Sequence, residues 1–297
     1  MKSIIVLSGK GGVGKSSIAA SLAIAFSEDK RIVCADCDVD ASNLSILFSL
    51  PTERYEEWTP LSTNQIASID RDKCIRCGKC IATCYFKALR SEDNIPKLNE
   101  FGCEGCGACE LICPAKAITL KDIDNAYIGY SRTGYGFKIA SAQLLPGNSG
   151  SGKVVSEVRK KAKEIEPDAE LMIIDAAAGI GCPVIASVTG NDYALLVTEP
   201  TPSGYEDMLR ALDIVDHFRI KKGIIINKYD LNKDYSAKIE LFAQEKKIPI
   251  IHKIPFDRAF VDAMTNMVPI IDHDKDFRKM FMDMKKKIEA EVIDSEK

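Results

Sequence analysis

The sequence predicts an α/β protein: a doubly wound, mostly parallel sheet interrupted by a small inserted α+β domain. Three observations carry that reading. Short apolar runs alternate with helical patterns, a glycine-rich loop joins the first run to the first helix, and eight cysteines crowd into one window between Cys74 and Cys113. Residues 3–8 are an apolar run closed by Gly9, as a buried strand is. The glycine loop occupies residues 9–17, and Ile18, Leu22, Ala25 and Phe26 then recur at helical spacing. Residues 31–35 form a second buried strand ending at Asp36. Apolar runs at 171–174, 194–197, 223–226 and 248–254, with helical segments near 203–218 and 234–246, continue the alternation. Strands alternating with helices give a parallel sheet covered on both faces. Residues 64–122 break the rhythm, and 123–152, rich in Gly, Ser and Tyr, return the chain to the sheet as short strands and loops. Residues 274–297 form an amphipathic helix with Phe277, Met280, Phe281, Met284 and Ile288 on one face. The expected organisation is a discontinuous domain, 1–63 with 123–297, and an insert, 64–122.

Composition narrows the function classes. Of 297 residues 46% are hydrophobic, enough to bury a sizeable core and to exclude disorder as the main state. A net charge of −3 argues against nucleic-acid binding through a global basic surface. No apolar run reaches the roughly 18 residues of a membrane span, and Met1-Lys2-Ser3-Ile4 runs directly into a strand with no visible signal peptide. Lys285-Lys286-Lys287 beside Met284 and Ile288 hints at an interfacial helix, but such a face more often docks on its own core, so stable membrane binding is not expected. The cysteines stand at metal-ligand spacing and not as a disulfide framework, which predicts a cytoplasmic metalloprotein.

Gly9-Lys10-Gly11-Gly12-Val13-Gly14-Lys15-Ser16-Ser17 contains Gly-x4-Gly-Lys-Ser between a strand and a helix, the context of a phosphate-binding loop. The glycines let backbone N–H groups wrap phosphates, and the helix N-terminus adds its dipole. Lys15 then meets the outer phosphates and the Ser16 hydroxyl holds Mg²⁺. Gly147-x4-Gly152-Lys153 imitates the pattern but follows Pro146 and continues with Val154, so it reads as a loop and a helix start. Lys10 is the informative residue. A second lysine cannot easily share the cradle with Lys15, which leaves it available to a phosphate across an interface.

Cys74-x2-Cys77-x2-Cys80-x3-Cys84 and Cys103-x2-Cys106-x2-Cys109-x3-Cys113-Pro114 are two copies of the bacterial ferredoxin ligand run. The fourth cysteine of such a run ligates the other cluster. Cys74, Cys77, Cys80 and Cys113 are therefore expected to hold one [4Fe-4S], and Cys84, Cys103, Cys106 and Cys109 the second. CxxC pairs also suit tetrahedral zinc, though zinc sites do not normally duplicate CxxCxxCxxxC. Tyr85 stands where the second run has Pro114, which removes no ligand. Charge is polarised across the copies. Arg71, Lys73, Arg76, Lys79, Lys87 and Arg90 surround the first, and Glu92, Asp93, Glu100, Glu104 and Glu110 the second. The two clusters are thus candidates for different potentials, or the charges are ordinary solvated surface.

The loop with its extra lysine resembles the deviant Walker A of the ParA/MinD/Mrp class, which includes the nitrogenase iron protein. More closely, Asp36-Cys37-Asp38-Val39-Asp40-Ala41-Ser42-Asn43, the cysteine window, Gly181-Cys182-Pro183-Val184 and Thr198-Glu199-Pro200-Thr201-Pro202 resemble MinD-superfamily ATPases with an inserted ferredoxin domain. The resemblance implies ATP/ADP as ligand and a homodimer formed on ATP binding, with Lys10 reaching the partner's nucleotide. It implies that Asp38, flanked by Asp36 and Asp40, orients the attacking water, that Asp175 holds Mg²⁺ through water, and that Asn227 hydrogen-bonds the adenine. One departure is Asp175-Ala176-Ala177-Ala178-Gly179, where the class usually carries prolines, so a strong hydrolysis rate is not assumed. Of the leftover cysteines, Cys34 is core, Cys37 lies in the aspartate segment, and Cys182 sits where the nitrogenase iron protein has a bridging-cluster ligand; no second such ligand is evident. Three functions follow: an ATP-gated electron-transfer protein with a redox partner, a scaffold or carrier for metal-cofactor assembly, and a partitioning or positioning ATPase.

Overall fold

A computed structural model describes residues 1–50, 56–148 and 150–292. The chain opens with β1 (Lys2–Ser8), α1 (Lys15–Ser27), β2 (Ile32–Cys37) and the single turn α2 (Leu44–Leu47). Then come β3 (Glu56–Leu61), β4 (Asn64–Ile69), α3 (Lys79–Thr83), β5 (Leu89–Glu92), β6 (Ile95–Leu98), α4 (Ala108–Leu111) and β7 (Ile118–Ile123). β8 (Ala126–Arg132) and β9 (Lys138–Leu144) lead to α5 (Ser151–Ile165), β10 (Leu171–Ala178), α6 (Cys182–Val188), β11 (Tyr193–Thr198) and α7 (Pro202–His217). The chain ends with β12 (Lys221–Asn227), α8 (Lys233–Glu245), β13 (Ile250–Ile254), α9 (Ala259–Thr265) and α10 (Lys275–Val292).

The main sheet has the order β13-β12-β11-β1-β10-β2-β9-β8-β3. Pairing is parallel from β13 through β9. After β10 the chain crosses β1 and adds β11, β12 and β13 on the far side. That reversal creates a crevice at the carboxyl ends of the central strands. Alternate strand residues share one face: Ile4 and Val6, Leu171 and Ile173, and Tyr193, Leu195 and Val197 join one apolar cluster with α1 and α10. Phe277, Phe281, Met284 and Ile288 are buried in that cluster and Met280 packs on it. The C-terminal helix is therefore docked on its own core. Lys285 is paired with Asp29 at 2.6 Å and Lys287 donates to the Ile251 carbonyl at 2.9 Å, so two of the three lysines turn inward. The part of the expected helix beyond 292 lies outside the described residues. Among the described residues, no helix is long and apolar enough to cross a membrane.

The chain divides into two compact units, one of residues 1–58, 128–143 and 151–297, the other of 59–127 and 144–150. The second unit thus takes in residues on either side of the 64–122 window and a returning segment after β9. Within it β4 and β7 pair antiparallel, from Asn64 opposite Ile123 to Ile69 opposite Ile118. β5 and β6 form a hairpin whose turn residues, Asp93 and Asn94, both have positive φ (51° and 64°), the geometry that matches strand twist. Ala67, Cys80, Leu89, Cys109 and Ile118 are its buried cluster.

Candidate functional site

Ser8, Asp38, Ala178, Asn227 and Pro255, each at or just past the carboxyl end of a different strand, line a large open cavity. The glycine loop forms its floor, with Gly11, Gly12, Gly14, Lys15, Ser16 and Ser17 among the lining residues. Two close approaches explain why glycines are required. A Cβ on Gly9 would lie 2.0 Å from the Asp207 carbonyl oxygen of α7, and one on Gly14 (φ +90°) 2.6 Å from the Asn227 amide nitrogen. Gly14 in the left-handed region ends the loop and starts α1 at Lys15, so the first N–H groups of a thirteen-residue helix face the cavity. The cradle and the helix N-terminus fit a nucleotide phosphate chain.

Lys15 is 7% exposed and pairs with Asp175 at 2.5 Å; Asp175 is 1% exposed. Asp175 stands opposite Asp36 in the parallel register of β10 and β2. Burial, and then the charge of Asp175, raise the Asp36 carboxyl well above the usual carboxylate value. Asp36 does not line the cavity. It accepts from the Ser42 hydroxyl at 2.7 Å and the Leu44 and Asp38 N–H groups at 2.9 and 3.2 Å, and so ties down the segment that presents Asp38. Asp38 lines the cavity half-buried; burial raises its carboxyl and the Lys15 charge opposes that rise. Asp40 is exposed and is not among the lining residues. β10 continues as strand through Ala177 to Ala178, where the resemblance had placed a proline-bearing switch.

Lys10 donates to Glu199 at 2.9 Å and to the Ser203 hydroxyl at 3.3 Å. Lys228 reaches the other Glu199 oxygen at 3.2 Å and the Gly12 carbonyl at 3.2 Å. Donating to the Glu199 carboxylate raises the Lys10 ammonium above its ordinary value. Burial raises Glu199, and its hydrogen bonds to Lys10 and Lys228 more than reverse that, leaving the carboxyl below its usual range. Asn227 donates to the Val13 carbonyl at 2.7 Å and accepts from the Lys228 N–H at 3.0 Å, so here its amide braces the loop. The apolar wall was missed in the sequence: Ile46 and Leu47 on one side, Phe256, Phe260 and Met264 on another. The available signal was Pro255-Phe256-Asp257 directly after a strand, at the edge of the sheet where such folds bind ligands.

The eight window cysteines line two separate cavities. Cys74, Cys77, Cys80 and Cys113 line one small cavity, and Cys84, Cys103, Cys106 and Cys109 line another. In each copy the fourth cysteine accepts a backbone N–H: Ala88 N–H to Cys84 Sγ and Ala117 N–H to Cys113 Sγ, both at 3.3 Å. Among the described residues no three Cys, His, Asp or Glu side chains converge as a single metal ion requires. Cys34 and Cys37 are buried and Cys182 is exposed. Burial raises the Cys37 thiol to about 12, which marks it as inert.

Loop, crevice and strand order together define a P-loop nucleotide-binding protein of the α/β class. The family description CobQ/CobB/MinD/ParA nucleotide binding domain matches residues 4–270, and the chain belongs to that family. The uncharacterized protein MJ0578 of Methanocaldococcus jannaschii is 38% identical over 272 residues, 91% of this chain and 90% of that protein. The septum site-determining protein MinD of Helicobacter pylori is 22% identical, with 98% of this chain and 91% of that protein covered. The fold is that of MinD from Pyrococcus horikoshii, solved with Mg-ADP, at a TM-score of 0.59, 15% identity and coverage of 97% and 95%.

Proposed function

We propose that this chain is a Mg²⁺-dependent ATPase switch that dimerises on ATP, and that its cysteine unit carries two [4Fe-4S] clusters through which nucleotide state gates electron passage. The observation that carries the cluster reading is the sorting of the cysteines, three from one run with the fourth from the other around each cavity. Thiols spread around a cavity suit a polynuclear group better than one zinc ion, whose four ligands must close to about 2.3 Å from a common centre. Bound clusters would supply one-electron chemistry. The protein's own contribution is the N–H donation to Cys84 and Cys113 and the charge at each rim, both of which tune potential.

In the nucleotide site Lys15 and the loop N–H groups bind phosphates, Ser16 and Asp175 supply Mg²⁺ ligation, and Asp38 positions the attacking water. Phosphoryl transfer asks for positioning more than for a strong base. Lys10, held by Glu199 and Ser203 within its own chain, is the cation offered to a partner's nucleotide.

A second reading has its own support. Relatives with functional names include a septum site-determining and a flagellum site-determining protein, which favours a positioning ATPase over electron gating. Under that reading the cysteine unit recognises the cargo. A carrier for metal-cofactor assembly is the third use of the same parts, and a cytoplasmic location suits all three. Anaerobic purification should yield about eight iron and about eight acid-labile sulfide per chain. Redox titration without nucleotide, with ADP and with a non-hydrolysable ATP analogue then separates the readings. Midpoints that move with nucleotide support gating, and identical midpoints in all three states leave the positioning reading in place. Absence of iron and sulfide overturns the cluster assignment itself.

A further inference from the structure

The two cysteine copies share one backbone, so each serves as a control for the other. From 73 to 90 their matched charges differ in one direction only. Lys73, Ile75, Arg76, Lys79 and Ile81 of the first copy stand where the second has Gly102, Glu104, Gly105, Ala108 and Glu110. Every replacement makes the first copy more positive.

Arg76 is the most telling of these. It sits at φ +59° and Gly105 at +61°, a left-handed conformation that disfavours any residue with a Cβ. At Gly105 a Cβ would lie 2.4 Å from the Gln65 carbonyl oxygen, so packing dictates glycine there. The first copy instead keeps an exposed arginine in the same strained geometry. Strain retained where the duplicate avoids it is a reason to look for function. Lys79 and Ile75 line the first cavity directly, and Ile75 is 65% exposed. No charged residue lines the second cavity apart from its cysteines. Among the described residues neither Arg76 nor Lys79 has an ion-pair or hydrogen-bond partner, whereas Lys73 is tied to Asp70 at 3.0 Å. The result is an apolar spot beside two uncompensated cations, over a cavity whose Cys77 is itself exposed.

We infer that this rim, Ile75 with Arg76 and Lys79, docks an acidic electron-transfer protein that carries a one-electron cofactor. The inference rests on the cluster reading above and names the partner class for the first cavity. The exchange is balanced with no bond made or broken. One electron would leave the partner's reduced cofactor, oxidising it by one, and a cluster held by Cys74, Cys77, Cys80 and Cys113 would be reduced by one. Opposite potentials steer such encounters and fix their orientation, and their effect falls with ionic strength.

The test uses the full anaerobic protein and an acidic flavodoxin. Equilibrium binding is measured with the oxidised flavodoxin, when no electron moves, and reduction rate with its hydroquinone. Binding should weaken with added salt. Arg76→Glu with Lys79→Glu should weaken it at least about tenfold at low ionic strength and flatten the salt dependence. Arg76→Gly copies the residue of the second run and relieves the backbone, so it should fold at least as well and still weaken binding about threefold. Glu104→Lys with Glu110→Lys should not weaken it. Equal affinity in wild type and the Arg76/Lys79 variants, with iron and sulfide present, overturns the docking surface alone. So does self-association of this chain, or capture of nucleic acid in place of flavodoxin, abolished by the same variants. A chain with no iron or sulfide instead overturns the cluster reading on which it rests.

Discussion

The nucleotide-binding sheet and the cysteine unit are held together by different means. The sheet buries long apolar strands on both faces, with α1 and α10 closing one side around Ile4, Ile173, Leu195 and Phe281. The cysteine unit has a cluster of five buried residues, two of which, Cys80 and Cys109, are proposed ligands; Cys84, Cys103 and Cys113 pack around it with Ile69, Ile81 and Leu98. Without the cysteines the core is Ala67, Leu89 and Ile118 under Ile69, Ile81 and Leu98, far smaller than that of the sheet. Small domains that cannot bury enough surface rely on metals or disulfides. The difference teaches that the two units should fail under different insults.

The largest expected effect follows directly. Anaerobic iron chelation should unfold the cysteine unit while the sheet still binds nucleotide, because ligation in metal-dependent small domains is worth on the order of 10 kcal/mol. Limited proteolysis should then cut within 59–127 and spare the sheet; loss of both units in one transition would break the comparison. Next in size, Lys10→Ala should keep nucleotide affinity but lose hydrolysis by ~10³–10⁵, the range for a cation supplied in trans. Lys15→Ala should lose binding itself. Steady-state ATPase and nucleotide titration separate the two, and neither variant should alter cluster absorbance. Phe281→Ala should destabilise the sheet by about 3–5 kcal/mol through a core cavity, read as a lower melting temperature with unchanged iron content.

The smallest effect is one of sign. Asp38 is raised by burial, so in the pH range above the ordinary carboxylate value the unfolded chain ionises first. Stability contributed by this group is therefore full below that value and falls as pH rises through the folded one. Asp38→Asn should remove that loss, with melting at pH 7 rising by no more than about 3 °C while hydrolysis drops. A lower melting temperature would show that the carboxylate is held by partners that its burial conceals.

The strands were legible where apolar runs are continuous and buried. Residues 3–8 became β1 and 31–35 became β2, and helices expected near 203–218 and 234–246 appear as Pro202–His217 and Lys233–Glu245. Local chemistry decides such elements: Pro202 opens α7 behind Thr201, whose hydroxyl accepts from the Gly204 N–H at 2.9 Å. The phosphate loop was equally legible, since its glycines and lysine act within nine residues. What the chain kept hidden was tertiary. The Lys10–Glu199 pair spans 189 positions, and Asn227 meets Val13 across 214. No local pattern encodes those meetings. Between Asp38 and Asp40 only the family resemblance chooses; in the fold Asp36 anchors the segment, Asp38 lines the cavity and Asp40 is exposed.

The strand order has a consequence for how such a chain is assembled in evolution. β1, β10 and β2, which carry the loop and both buried aspartates, are contiguous and interior, while β3 and β8 lie last in the order. In sequence the cysteine segment runs between β3 and β8 and so interrupts none of β1, β10 and β2. Replacing the segment between Leu61 and Ala126 with a foreign domain should therefore leave the phosphate loop and the strands that carry it intact.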